Sequence, residues 1–119
     1  MPTWKRVARP SLRCGQNPNM AQFDVYATTY PDAPFVVQVQ SDLLNILATR
    51  VVIPLKLATD KQPLDRLHPT LDIQGQTYVL HTAETATVMA SVLKTPVASL
   101  APTHRQTILD AVDFLLHGF

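Results

Sequence analysis

Residues 68–82, HPTLDIQGQTYVLHT, read as a β-hairpin and decide the fold class. Gln74-Gly75 is the turn, because a two-residue hairpin loop needs positive φ and Gly75 adopts it without steric cost. Leu71, Ile73, Tyr78 and Leu80 supply the apolar side chains on either side. Working towards the amino terminus, the polar stretch from Thr59 to Arg66 reads as loop. Before it, Val51 to Leu55 is apolar on both faces apart from Pro54, which predicts the covered centre of a sheet with Pro54 at a bulge or edge. Further back, Phe23, Val25 and Ala27 alternate with Gln22, Asp24 and Tyr26, and Phe35, Val37 and Val39 alternate with Val36, Gln38 and Gln40. These are two half-buried strands separated by Pro31, Asp32 and Pro34. Towards the carboxy terminus, the β-prone run Thr87 to Leu93 stops at Lys94-Thr95-Pro96. The last element is helical: Thr103 and Gln106 have capping-box spacing, Pro102 suits a helix start, and Ile108, Ala111, Val112 and Leu115 form the apolar stripe. Gly118 closes that helix near His117 and leaves Phe119 beyond it. The class is mainly β with a C-terminal α-helix.

The 119 residues suffice for one domain with its own core. With 46% hydrophobic and 16% charged residues the chain is too apolar for disorder. It contains no apolar run of the roughly 18 residues that a membrane span needs. The net charge of +1 is unevenly spread: Lys5, Arg6, Arg9 and Arg13 precede the first acid, which leaves six basic side chains against nine acidic ones from residue 20 onward. The body is therefore mildly acidic and not built to hold phosphates. Residues 1–19 lack helical periodicity and a secretory apolar core, and read as a disordered basic arm or a misassigned start. A nucleic-acid-touching tail is the lesser alternative. The single cysteine, Cys14, makes no internal disulfide, which fits a cytoplasmic protein.

The sequence holds few signs of catalysis. The glycines stand alone at 15, 75 and 118, so there is no phosphate loop, and His68, His81, His104 and His117 lack metal-ligand spacing. Ser41-Asp42 has no nucleophile elbow around it and reads as a turn or helix cap. No metal, cofactor or catalytic residue is expected.

Five short segments in order carry a resemblance: Gln22-Phe23-Asp24-Val25-Tyr26, Val39-Gln40-Ser41-Asp42-Leu43-Leu44, Val52-Ile53-Pro54-Leu55, His68-Pro69, and Val97-Ala98-Ser99-Leu100 leading into the helix. Together they make residues 20–119 similar to the CcdB family of bacterial toxins. The resemblance implies a domain starting at Met20, with a small SH3-like, partly open, five-stranded β-barrel and terminal helix of the type shared with the Kid and MazF toxins. It also implies a homodimer. Such toxins bind the DNA gyrase A subunit and trap the enzyme on cleaved DNA, without being enzymes themselves. A CcdA-like antitoxin removes them, and toxin and antitoxin together modulate their operator, so DNA is met only through gyrase or antitoxin.

Carried over by position, the resemblance places gyrase contacts at Leu43, Leu44, Asp113, His117, Gly118 and Phe119. The residues alone leave Leu43 and Leu44 open between core and surface, as an apolar pair is more often buried. Asp113 and His117 stand four apart and share a helical face, which suits either a local pair or a binding role. The best-known family member has Trp at the position of His117, and Trp offers more stacking surface than imidazole. The competing function is an endoribonuclease of the MazF/Kid type, using His81 or His104 with Arg50 or Arg105, since one fold hosts both activities. An inactive homologue that only binds the antitoxin is a third reading.

Overall fold

The computed structural model describes residues 21–29, 32–58 and 66–118. The expected arm at 1–19, most of the expected loop at 59–66, and Phe119 lie outside the described residues. The strands are β1 (Asp24–Ala27), β2 (Phe35–Gln38), β3 (Thr49–Leu57), β4 (Thr70–Ile73), β5 (Gln76–Leu80), β6 (Ala86–Met89) and β7 (Ala98–Ser99), followed by helix α1 (Ala101–His117). They form one antiparallel, barrel-like sheet in the order β4-β5-β3-β2-β1-β7, with β6 also paired to β3. The five strands read around the hairpin and before it are present as β1 to β5, and the β-prone run Thr87 to Leu93 starts as β6 and then turns into a 3-10 turn, Ala90–Val92. The additional strand is β7, a two-residue piece whose pairing depends on the distant β1.

β3 is central, as its two-sided apolar pattern predicts. Its first half pairs with β6 (Arg50 opposite Val88) and its second half with β5 (Leu55 opposite Leu80), while β2 runs along its other edge. Pro54 sits where the neighbour changes from β6 to β5, not at a bulge or an outer edge. Its carbonyl accepts from His81 N at 3.0 Å on that side. Because the N–H and C=O of one strand residue point the same way, the missing proline N–H falls in the gap between β5 and β6. The ladder to β2 loses nothing there.

The hairpin forms as read, with Gln74 at φ 53° and Gly75 at φ 83°. Two positive φ values in succession define the turn whose twist matches the flanking strands. β1 and β2 differ from the half-buried expectation. Val25, Val37, Ile53 and Leu55 face the main core with Leu71, Ile73, Tyr78 and Leu80, and α1 adds Ile108 and Ala111. The opposite face buries Tyr26, Val52 and Leu93, with Val36, Val88 and Ala90 packed against them. Much of both sides of these strands is covered and even Asp24 is withdrawn from solvent, while Ala27 stays exposed and Phe35 and Val36 are half-buried.

Helix α1 begins earlier than its capping-box spacing predicts. Leu100 occupies the N-cap position without a side-chain bond and Pro102 lies in the first turn, where its missing N–H costs nothing. Thr103 is already helical, and Gln106 donates instead to Asp110 Oδ1 at 2.8 Å. Leu115 is also corrected: it lies on the last turn of the helix and is 40% exposed. Gly118 closes the helix at φ 79° with its N–H on Phe114 O at 2.8 Å.

Candidate functional site

The turn after β2 is built by its neighbours. Ser41 Oγ accepts from Leu43 N at 3.2 Å and caps a single 3-10 turn, Asp42–Leu44. Asp42 Oδ1 accepts from Gln22 N at 2.8 Å, which ties the turn to the start of β1. Two buried polar side chains then grip the backbone from beneath. Gln40 Nε2 donates to Leu44 O at 3.1 Å while its Oε1 accepts from Val51 N at 3.1 Å. The Arg50 guanidinium donates to the carbonyls of Leu47, Thr49 (2.9 Å) and Asn45 (3.1 Å).

With its carbonyls held inward, the segment turns its side chains out. Leu43 is 91% exposed and Ile46 63%, and Leu44 and Leu47 are exposed too. Four apolar side chains within five residues therefore form a contiguous exposed patch, a recognised mark of an interaction surface. The burial favoured for the Leu43-Leu44 pair from residue type alone does not occur. Ile46 and Leu47 are not singled out by the sequence reading. The signal that could have found them is Leu43-Leu44-Asn45-Ile46-Leu47, which fits neither the helical nor the strand period.

The second group stands at the end of α1. Asp113, His117 and Gly118 are all exposed, and no hydrogen bond or ion pair among the described residues joins Asp113 to His117. Leu116, also unforeseen, is 68% exposed beside them. Phe114 anchors this last turn, with the Arg66 guanidinium 4.9 Å from its ring centroid. The structure thus brings Leu43 with Leu44, and Asp113 with His117, on two separate elements. Phe119 lies outside the described residues.

Three of the side chains named for RNA cleavage, Arg50, Arg105 and His81, have contacts within the fold. Arg50 is buried and spends its donors on three backbone carbonyls. Burial pulls its guanidinium down, with the Tyr26 phenol opposing, and burial pushes that phenol up to about 12. Arg105 lies over the Phe23 ring, and His81 is engaged by Glu84. Among the described residues no three His, Cys, Asp or Glu side chains are grouped to hold a metal, and no helix is long and apolar enough to cross a membrane.

The fold is a mainly β, barrel-like sheet with a carboxy-terminal helix, and two of its elements expose apolar side chains. The family model described as CcdB protein matches residues 22–118, and the chain belongs to the CcdB family, toxins of toxin–antitoxin systems. No curated protein matches it.

Proposed function

We propose that this toxin acts by binding the DNA gyrase A subunit and trapping gyrase on cleaved DNA, through Leu43, Leu44, Asp113, His117, Gly118 and Phe119. The observation that carries the proposal is the exposure of Leu43 and Leu44 on a turn whose backbone Gln40 and Arg50 hold in place. A preorganised apolar patch binds with little ordering cost, whereas the same leucines on a loose loop would have to be ordered first. The toxin works as a homodimer, because two symmetric helix ends suit a two-fold partner such as a pair of gyrase A chains. It carries no catalytic residue and needs no cofactor. A CcdA-like antitoxin neutralises it, and the pair represses its own operon in the cytoplasm.

Incubating the purified protein with gyrase, supercoiled DNA and ATP tests the reading. Linear DNA bearing covalently attached gyrase A protein is expected after detergent denaturation, and protease treatment should then free the DNA ends. Cleavage of RNA by the protein alone, with no gyrase-dependent DNA breaks, would assign it to the ribonuclease class instead.

A further inference from the structure

A cluster of titratable side chains lies where β3, β5 and the 3-10 turn Thr82–Glu84 meet, and the proposed toxin surface does not use it. The His81 ring stacks on His68, with centroids 5.1 Å apart and planes at 25°. His81 Nδ1 lies 2.8 Å from Glu84 Oε2. A carboxylate only accepts, so Nδ1 carries the proton and Nε2 is the nitrogen that takes the second one. Glu84 also accepts from Lys56 Nζ at 3.1 and 3.2 Å. The turn that holds Glu84 packs against both β3 and α1.

We infer that His68, His81, Glu84 and Lys56 form an acid-sensitive clasp that seats helix α1 on the sheet and loosens it when His81 takes a second proton. Among the described residues, the groups acting on His81 are Lys56 from β3, Glu84 from the turn and His68 from the segment leading into β4, and none comes from α1. A proton on Nε2 puts charge on a ring whose side chain is only 12% exposed. That charge lies beside the Lys56 ammonium and flat against a second imidazole. Glu84 opposes the penalty, but its other contacts are with Lys56 and it is itself half exposed.

Desolvation, then Lys56 and His68, outweigh Glu84 and hold His81 below its ordinary 6.5. A depressed folded-state value means that this contribution to stability is complete above pH 6.5 and is lost as pH falls through the folded value. The ring escapes the penalty by leaving the stack for water, and the turn under α1 then loses its Glu84 tie.

The test uses the full chain, following the His81 Cε1–H resonance and amide exchange of Ile108 to Val112 from pH 7.5 to 4.5. His81 is expected to titrate below 6.5. Helix protection, corrected for the intrinsic exchange rate, should fall severalfold over the same pH range. His81→Phe keeps a stacking ring without a proton site and should flatten that dependence. A His81 midpoint at or above 6.5, a loss of protection that does not track it, or an undiminished loss in His81→Phe would overturn the clasp. Should His81→Phe fail to fold, coincidence or separation of the two midpoints in the unaltered chain decides.

Discussion

The guanidinium of Arg105, on the second turn of α1, stands 5.4 Å from the ring centroid of Phe23, the residue that leads into β1. Phe23 has φ 72°, a left-handed backbone uncommon for a bulky side chain, and its ring is completely buried. Its N–H reaches Gln38 O at 2.6 Å and its carbonyl accepts from Leu100 N at 2.9 Å. One residue thus ties β2, β1 and the start of the helix, and Arg105 covers it. Arg105→Ala should lower stability by about 0.5–1 kcal/mol, as expected for a cation over an aromatic face, and Phe23→Ala by about 3–5 kcal/mol. In a double-mutant cycle by urea melting, Arg105→Ala should have almost no effect in a Phe23→Leu background. An equal loss in both backgrounds would show that Arg105 acts elsewhere.

Asp24 gives a pH prediction of the opposite sign to His81. Burial raises its carboxyl above the ordinary 3.8, partly offset by the hydrogen bond from Ala21 N, with the nearby Asp42 charge raising it further. A raised folded-state value means stability that is present below 3.8 and lost as pH rises through the folded value, so at pH 7 the charged form is a burden. Asp24→Asn keeps an oxygen for the Ala21 N–H and removes the charge. Its denaturant midpoint should exceed that of the unaltered chain at pH 7, and the gap should close near pH 3. A lower midpoint at pH 7 would mean that the charge itself is needed.

Leu43→Asp separates surface from core. The side chain is almost wholly in solvent, so stability should change by less than about 0.5 kcal/mol. Gyrase-dependent DNA breaks should nevertheless fall at least tenfold, because a carboxylate would be buried at the apolar contact. Unchanged cleavage by a folded variant removes Leu43 from the proposed surface.

Removing His117-Gly118-Phe119 should cost about 1 kcal/mol or less in thermal or denaturant melts, since His117 and Gly118 are exposed and end a helix. Growth inhibition should disappear while antitoxin binding survives. In the full chain, His117→Trp should strengthen gyrase trapping if position 117 meets a cation, through its larger ring face. A truncated protein that folds and still inhibits growth would place the target contact elsewhere.

The elements that can be read from the sequence are those whose signal is local. Gln74-Gly75 predicts its turn because only the backbone of the two residues matters, and Gly118 predicts the helix end for the same reason. The phase of α1 likewise leaves Asp113 and His117 off the buried Ile108–Ala111 stripe. The helix start misleads because Thr103 and Gln106 have the right spacing, yet the Leu100 N–H bond to Phe23 O fixes the boundary from outside. Tyr26 is solvent-facing by alternation alone, since nothing in its neighbourhood announces the cover that Val52 and Leu93 provide. The outward turn of Leu43 and Leu44 depends on Arg50 gripping carbonyls several residues away, which residue type cannot reveal.

Closure of the sheet at β7 sets the order in which a newly made chain can be finished. The outer edge of β1 is covered only when Asp24 and Val25 meet Ser99 and Ala98, with Val97 N on Val25 O at 2.8 Å. At a synthesis rate of about 5–20 residues per second, that edge waits roughly 4–15 s on the ribosome for its partner. During that interval the nascent chain has an unpaired strand edge and no terminal helix. A message cut short before the codon for Ala98 therefore yields a sticky fragment without the helix half of the proposed surface, and aggregation rather than toxicity is its expected fate.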